Sequence, residues 1–353
     1  MHQKTTDALS RFRALIRSEQ FPTGEFLPPE RELCKHLQIG RSALRVICAQ
    51  LEAENLLVRL PSKGMKILSP LERNTHRRLL LIFPNTYLGS GGNEIMTVLH
   101  GIAVACQEEN AELVLYFTDT SKPDPQLMAR IQETPWNGVL FMETALPSII
   151  TAVQAAKLNY CIVNYEESRQ DIPAIRVDFR EIGRMAGRLL ASRGYRRLGF
   201  LGRSTFLYRE ELAGFKGALA EEDLSPDPEL VVLIPPEMPH GKEKALLRKT
   251  IQKSMDNKPF AIFCGRDGRA DALFDVCRGL GLRIPEDVAI LGYDGISWDE
   301  AAQNGLSSIL QPAFEVGGAA VHALFRGKGE IKFTLIPPRK LIERTSTPPL
   351  PAK

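Results

Sequence analysis

Apolar residues recur at helical spacing three times in the first 54 residues of the chain. The third stretch predicts a helix with one buried face, because its apolar side chains fall at i, i+3, i+4 and i+7. These side chains are Leu44, Ile47, Cys48 and Leu51. Similar spacing over 9–16 and 33–37 predicts two further amphipathic helices. Two strand-like runs, 57–60 and 65–68, flank a turn and predict a β-hairpin.

From residue 79 onward, short apolar runs alternate with amphipathic stretches. The runs typical of strands are 79–83, 113–117, 138–142, 160–163, 174–177, 198–201, 261–264 and 288–293. The stretches with helical spacing include 95–109, 148–157, 181–193, 209–222 and 270–280. This alternation predicts parallel sheets with helices on both faces. A stretch of about 270 residues is longer than a single hydrophobic core usually accommodates, so we expect two α/β lobes.

The composition is that of a globular protein. Of the 353 residues, 44% are hydrophobic and 25% are charged, which excludes a disordered chain and a disulfide-stapled mini-protein. No apolar run approaches the roughly 20 residues that span a bilayer, and the first residues lack the apolar core of a secretion signal. None of the six cysteines stands in a C-x-x-C pair. We therefore expect reduced thiols in a cytoplasmic protein.

Charge is distributed unevenly along the chain. Residues 1–68, called the head below, contain 11 Lys and Arg and 7 Asp and Glu, whereas the whole chain contains 45 and 42. The head thus carries a formal charge of +4 and the remainder −1. A small basic region on a near-neutral body indicates that the head binds a polyanion.

The third predicted helix begins with cations. Arg41 and Arg45 lie one turn apart, with Ser42 beside them. A helix, a short turn and a second helix that starts with cations are typical of a helix-turn-helix, whose second helix enters the major groove. Arginine can hold O6 and N7 of guanine or neutralise phosphates. The hairpin that follows has a basic tip at Lys63, which we interpret as a wing that contacts DNA.

Three segments resemble the winged-helix domain of GntR-family repressors: LPPEREL at 27–33, GRSALR at 40–45, and KG at 63–64. The resemblance implies a set of DNA-contacting residues, namely Arg31, Arg41, Ser42, Arg45, Lys63 and Gly64. The chain departs from the family at Gly40, where a serine is usual. One side-chain contact to phosphate is therefore expected to be missing.

Further segments resemble the effector domain of LacI/GalR-family repressors, a two-lobe fold similar to periplasmic sugar-binding proteins. They are VDFREIG (177–183), GYRRLGFLG (194–202), IFCGRD (262–267), GLRIPEDVAILGYD (281–294) and LQP (310–312). The resemblance implies that a small molecule, often a sugar, binds between two lobes. It also implies that the ligand contacts Arg209, Arg266, Asp294 and Gln311.

The chemistry of these residues suits a sugar but leaves one question open. A guanidinium such as Arg209 and a carboxylate such as Asp294 can each hold two neighbouring hydroxyls. Arg266 stands where the family usually has asparagine. It either recognises an acidic effector or pairs with Asp267 or Asp294. Arg266 and Asp294 also follow predicted strands, at the sheet edge where open parallel sheets bind ligands.

Motifs for catalysis are missing from the sequence. We find no G-K-[ST] phosphate loop, no H-E-x-x-H, no Cys/His cluster and no G-x-S-x-G. We therefore predict no enzymatic activity, no cofactor and no metal site.

The sequence thus predicts an α/β chain with three parts. A winged helix-turn-helix domain occupies 1–68 and a linker 69–78, and a two-lobe, type I periplasmic-binding-protein-like domain with parallel sheets occupies 79–347. The predicted function is a homodimeric transcription regulator, foremost a repressor, whose affinity for a duplex DNA operator depends on a small-molecule effector, foremost a sugar. The sequence leaves open whether the regulator is an activator instead. The alternative function is that of a solute-binding protein of a transport system. A protein of that class would have a signal peptide and no basic head.

Overall fold

The structure is a computed structural model. It describes residues 3–17, 21–54, 56–60, 64–69, 77–85, 93–119, 122, 124–134, 136–143, 147–165, 168–295, 304–326 and 331–350. The chain divides into two compact units. Unit 1 comprises Met1–Ser90, Ile102–Ile162 and Gly318–Ile331, and unit 2 comprises Gly91–Gly101, Val163–Gly317 and Lys332–Lys353. Across the described ranges, no helix is both long enough and apolar enough to cross a membrane.

The head folds as three helices and a hairpin. Its elements are α1 (Gln3–Arg17), α2 (Glu30–Leu37), α3 (Arg41–Ala53), β1 (Leu57–Leu60) and β2 (Gly64–Ile67). The two strands pair antiparallel. The apolar positions that predicted the helices form one buried cluster with the hairpin: Ala8, Leu9, Phe12, Ile16, Leu33, Leu37, Leu44, Ile47, Cys48, Leu51, Leu57 and Ile67. The predicted winged helix-turn-helix is therefore confirmed.

The first six-stranded sheet follows the head in sequence. Its strands are β3 (Arg77–Pro84), β4 (Ala111–Thr118), β5 (Gly138–Met142), β6 (Tyr160–Val163), β7 (Ala174–Val177) and β13 (Thr334–Ile336), in the order β13-β7-β6-β5-β3-β4. β3 pairs parallel with β4 and β5, and β7 pairs parallel with β13. The helices between these strands are α4 (Asn93–Glu108), α5 (Pro125–Glu133) and α6 (Pro147–Ala155). β5 is buried along its whole length, as expected for a parallel strand covered on both faces.

The second six-stranded sheet lies within unit 2. Its strands are β8 (Leu198–Arg203), β9 (Val231–Ile234), β10 (Phe260–Cys264), β11 (Val288–Asp294), β12 (Ser307–Leu310) and β14 (Lys340–Ile342), in the order β14-β12-β11-β10-β8-β9. The described pairs are parallel except for β12 with β14, which is antiparallel. The helices in this part of the chain are α7 (Phe179–Ser192), α8 (Phe206–Ala220), α9 (His240–Ser254), α10 (Asp267–Gly279) and α11 (Ala313–Arg326).

Helices α7 and α8 approach each other through two glycines. A Cβ atom on Gly183 would lie 1.8 Å from the carbonyl oxygen of Glu211, and one on Gly214 would lie 1.8 Å from that of Arg180. Neither distance is compatible with any side chain, so both positions require glycine. This contact fixes how α8 is rotated about its axis, and hence which of its side chains become buried.

The predicted α/β class and parallel sheets are confirmed, and 138–142, 160–163 and 174–177 coincide with β5, β6 and β7. Seven elements were not predicted: α5, α9, α11, β9, β12, β13 and β14. β13 and β14 contain three residues each, which is too short for a periodic pattern, and β12 begins with two serines. These strands form because neighbouring strands supply their hydrogen-bond partners.

Two boundaries differ from the sequence prediction. Residues 70–76 of the predicted linker lie outside the described residues, but β3 begins at Arg77 instead of residue 79. Arg77 and Arg78 join the strand because they pair with Glu109 at 3.0 Å and Glu112 at 2.7 Å. At the other end, the fold continues past residue 347: the Tyr195 hydroxyl donates to the Pro348 carbonyl at 2.9 Å.

Candidate functional site

The predicted DNA-reading residues of the head lie on the surfaces of α2 and α3. Arg31 on α2 and Arg41, Ser42 and Arg45 on α3 are all exposed. Gly40 is the N-cap of α3, with an extended backbone at φ −77° and ψ 162°, and it supplies no side-chain cap. The first N–H groups of α3 are therefore available for a phosphate, as are the two arginines that follow.

Arg45 has an acidic neighbour on the preceding helix. Its Nε atom lies 3.9 Å from Oε1 of Glu30, and the two side chains are 70% and 47% exposed. An exposed ion pair at this distance contributes little to stability. The guanidinium of Arg45 can therefore exchange Glu30 for a phosphate or a guanine edge at small cost.

The wing is the two-stranded hairpin of β1 and β2, and an isolated antiparallel bridge between Phe26 and Lys66, which the sequence did not predict, joins it to the residues before α2. Besides the pairing of Leu60 with Gly64, the Leu27 N–H donates to the Met65 carbonyl at 2.7 Å. Gly64 has a φ of +96°, a conformation that favours glycine, so the turn requires this residue. Lys63 lies outside the described residues.

The predicted effector residues lie in unit 2, and the structure brings two of them into contact. Arg266 precedes α10 as its N-cap, and Asp294 ends β11. The Nε atom of Arg266 lies 3.5 Å from Oδ1 of Asp294. Asp294 has a φ of +139°, which an L-residue rarely adopts. Strained backbone of this kind is concentrated at binding and catalytic sites.

A fully buried carboxylate completes this contact. Glu211 on α8 exposes none of its surface, and its Oε1 accepts a hydrogen bond from Arg266 at 3.0 Å. Three aromatic rings surround the guanidinium: Phe179, Tyr208 and Tyr293, at 5.6, 5.2 and 5.0 Å from its central carbon. We call Glu211, Arg266 and Asp294 the Arg266 cluster. Of the two interpretations left open by the sequence, this geometry supports pairing.

Arg209 is not part of the Arg266 cluster. Arg209 is exposed on α8, whereas Glu211, two residues later, is buried. Two residues correspond to about 200° of rotation around a helix, so the two side chains point in nearly opposite directions. Sequence reasoning missed Glu211, although a signal existed: Glu211 stands four residues after Leu207 and four before Phe215, within the apolar stripe of α8.

Gln311 belongs to a second polar group of unit 2. Its side-chain amide donates to Oε1 of Glu94, and the side-chain amide of Asn164 donates to the same oxygen at 3.2 Å. Gln311 is 6% exposed and Asn164 4%. The charge of Glu94 raises the pKa of both Glu211 and Asp294. The two polar groups are therefore electrostatically coupled.

Asp267 connects Asp294 to the sheet. Its backbone N–H donates to Oδ2 of Asp294 at 3.3 Å, and its Oδ1 accepts from the Ser308 hydroxyl at 2.7 Å. A Cβ atom on Gly292 would lie 2.1 Å from that Oδ1. Glycine at 292 thus makes room for a buried carboxylate that orients the cluster.

Burial dominates the electrostatics of the cluster. It raises the pKa of Glu211 to about 8, although Arg266 acts in the opposite direction. Burial likewise raises the pKa of Asp294 well above its usual range, against the charge of Arg266. Burial lowers the pKa of Arg266, but Tyr208, Asp294 and Glu211 outweigh it and raise the pKa above its usual value. The guanidinium therefore stays charged.

The cluster offers a binding surface for hydrogen-bond donors. Oδ1 of Asp294 and Oε2 of Glu211 are buried without a hydrogen-bond partner among the described residues. Arg266 is shared between two carboxylates, and it lines a cavity of about 270 Å³ with Tyr208, Gly268 and Arg269. Glu211 and Asp294 themselves do not line this cavity. Buried acceptors without donors are costly, so a hydroxyl or amine that reaches them would be stabilised.

Comparison with known proteins assigns both parts of the chain to families. Residues 4–67 match the family described as bacterial regulatory proteins, gntR family. Residues 188–347 match the periplasmic binding protein-like domain. The two matches coincide with the head and with most of unit 2 after β7.

The relatives that the chain resembles are named repressors. The chain is 23% identical over 320 residues to the arabinose metabolism transcriptional repressor of Geobacillus stearothermophilus, covering 88% of this chain and 87% of that protein. It is 27% identical to the repressor PurR of Aliivibrio salmonicida, covering 64% and 68%. It is 30% identical to the ribose operon repressor of Haemophilus influenzae over 41% and 43%.

Solved structures share the fold. A transcriptional regulator described as a CelR–cellobiose complex has a TM-score of 0.61 and 21% identity, covering 91% of this chain and all of the other. A transcription regulator from Lactobacillus plantarum has a TM-score of 0.61 and 22% identity over 77% of this chain and all of the other. The chain thus combines a gntR-type head with a periplasmic binding protein-like domain, and the relatives that it resembles are named transcriptional repressors.

Proposed function

We propose that this protein is a transcriptional repressor whose head binds an operator in duplex DNA and whose periplasmic-binding-protein-like domain binds a small effector. The single observation that carries the proposal is the joining, in one chain, of an exposed cationic helix α3 to the buried, donor-seeking Arg266 cluster. The named repressors that match most of the chain support it. Binding and release, without catalysis, are sufficient for this function.

The effector proposed here is a neutral, polyhydroxylated molecule such as a sugar. Glu211 and Asp294 occupy the guanidinium of Arg266 from within the protein, so little of it is left for an anion. Glu94 adds a further acidic side chain that acts on this cluster. A sugar acid would therefore find no free cation here, whereas the hydroxyls of a neutral sugar can form hydrogen bonds with the carboxyl group of Asp294. The solved regulator in complex with cellobiose supports an effector of this class.

DNA binding is proposed to involve two heads. Operators of helix-turn-helix dimers are pseudo-palindromic, with half-sites about one helical turn or a multiple apart. We therefore propose a cytoplasmic homodimer with isologous contacts. The effector would alter operator affinity only by its differential affinity for the two conformations of the dimer.

The test uses the full-length protein and duplex DNA from its own promoter region. Binding is measured at several salt concentrations, with and without compounds from a thermal-shift screen that pairs each neutral sugar with its sugar acid. We expect specific, salt-sensitive DNA binding, a thermal shift with a neutral sugar but not with its acid, and a change in DNA affinity with the same sugar. Absence of salt-sensitive duplex binding would refute the function.

A further inference from the structure

An apolar side chain lies on the surface of α3 that neither core packing nor ion pairing explains. Val46 exposes 50% of its surface, whereas Leu44 and Ile47 on the same helix expose 1% and 0%. Valine is also a poorer helix former than alanine, so helix propensity does not favour it at an exposed position. Single exposed apolar side chains are common on protein surfaces, so the position of Val46 on the helix is what carries the argument.

The position of Val46 is that of the DNA-reading face. At 100° per residue, the exposed side chains Arg41, Ser42, Arg45, Val46 and Ala49 fall within an arc of about 140°. The buried side chains Leu44, Ile47, Cys48 and Leu51 occupy the opposite side. Val46 therefore shares the outer face of α3 with the arginines and does not belong to the core.

From this placement we propose that Val46 contacts a thymine methyl group in the major groove and so determines part of the operator sequence. The inference rests on the DNA-binding function proposed above. Thymine is the base that presents an apolar group there, its C5-methyl, and apolar side chains are the ones that recognise it. Once the neighbouring cations hold the duplex, Val46 has no polar alternative, because it can neither donate nor accept a hydrogen bond.

The division of labour on α3 follows from charge. Arg41 and Arg45 attract any duplex through phosphates, and this attraction weakens as salt increases. A contact between two apolar groups releases no counterions, so the contribution of Val46 is independent of salt. It also depends on one methyl group, which makes it specific to thymine.

The experiment combines a protein substitution with a matching change in DNA. Full-length wild type and Val46→Ala first select preferred duplexes from a randomised library. Each thymine preferred by the wild type is then replaced by deoxyuridine, which differs from thymidine only in lacking the methyl group. Val46→Thr, which keeps one methyl group, is the matched control. Affinities of the six protein–DNA pairs are measured by fluorescence anisotropy at several salt concentrations.

The expected result is that Val46→Ala loses the preference for thymine at one position of each half-site. Deoxyuridine at that position weakens wild-type binding about four-fold per half-site, the factor that corresponds to one methyl-sized group removed from water. The same replacement leaves Val46→Ala unchanged, and Val46→Thr lies between the two. The slope of affinity against salt is equal for all three proteins.

Two other results would overturn the inference, and they differ from failure of the function. If Val46→Ala selects the same duplexes and responds to deoxyuridine as the wild type does, Val46 reads no methyl group, while the function stands. If the wild type itself selects no duplex, the proposed function falls and this inference with it. Misfolding does not confuse the result, because alanine is the better helix former at this exposed position.

Discussion

The guanidinium of Arg266 donates a hydrogen bond at 3.0 Å to the carboxylate of Glu211, which exposes none of its surface. A cation in a ligand site is usually taken as a sign of an anionic ligand. Here the cation is held by a carboxylate beneath it and by a second one, Asp294, at 3.5 Å. Because both carboxyl groups occupy the guanidinium, the site favours a neutral ligand with hydroxyl groups over an anionic ligand.

The effector prediction concerns Asp294. Asp294→Asn should abolish or strongly reduce the thermal shift caused by the effector, because an amide does not reproduce the hydrogen-bonding pattern of the carboxyl group. Arg209→Ala is the control: Arg209 is exposed on α8, so we expect its removal to leave the shift intact. The measurement is the midpoint of thermal unfolding at increasing ligand concentration. A shift that is preserved in Asp294→Asn and lost in Arg209→Ala would show that the effector depends on Arg209 and not on Asp294.

The pH prediction concerns Glu211. Burial raises its pKa to about 8, against an ordinary value of 4.5. The folded protein therefore binds a proton that the unfolded chain has released between these two values. The stabilisation is complete below the unfolded value and is lost as the pH rises through the folded value. We expect the free energy of unfolding to fall from about pH 5 to pH 8 in the wild type, and to fall less in Glu211→Gln.

Urea titrations at several pH values measure this slope. Glu222→Gln is the matched control, because Glu222 is exposed just after α8. It should retain the wild-type slope. Identical slopes in Glu211→Gln and the wild type would show that Glu211 stays ionised in the folded protein.

The DNA prediction concerns the arginines of α3. Arg41→Ala and Arg45→Ala should each weaken operator binding by about 1–3 kcal/mol if the side chain holds a base, and should reduce the salt slope if it holds a phosphate. The control is Arg188→Ala, which removes an exposed positive charge from α7. Gel-shift titrations at fixed salt distinguish them. If Arg41→Ala and the wild type bind the operator with equal affinity, α3 is not the recognition helix.

The packing prediction concerns two glycines of α8. Gly214→Ala places a methyl group 1.8 Å from the carbonyl oxygen of Arg180, so α7 and α8 must separate. We expect destabilisation by about 3 kcal/mol or more. Gly217→Ala meets nothing within 4 Å and should stabilise the protein by about 0.4–1 kcal/mol. Urea unfolding measures both, and similar values for the two variants would contradict the close approach of the helices.

The sequence by itself determined the fold class and the exposed residues of the head that are proposed to bind DNA. The spacing of apolar residues predicted α3, because a helix that packs on one side must repeat its apolar residues every three to four positions. The same pattern left Arg41 and Arg45 on the outer face. The exposure of a cation can be predicted from sequence, because it depends on the pattern of its own helix and not on contacts with other elements.

Only the tertiary structure decided the arrangement of the buried Arg266 cluster. Whether Arg266 awaits an anion or is already paired depends on Glu211, which is 55 positions away in the chain. Glu211 reaches Arg266 because Gly183 and Gly214 let α7 and α8 touch, which fixes the rotation of α8. Sequence periodicity describes one helix at a time, whereas the pairing of two buried charges depends on the distance between elements that the chain brings together only on folding.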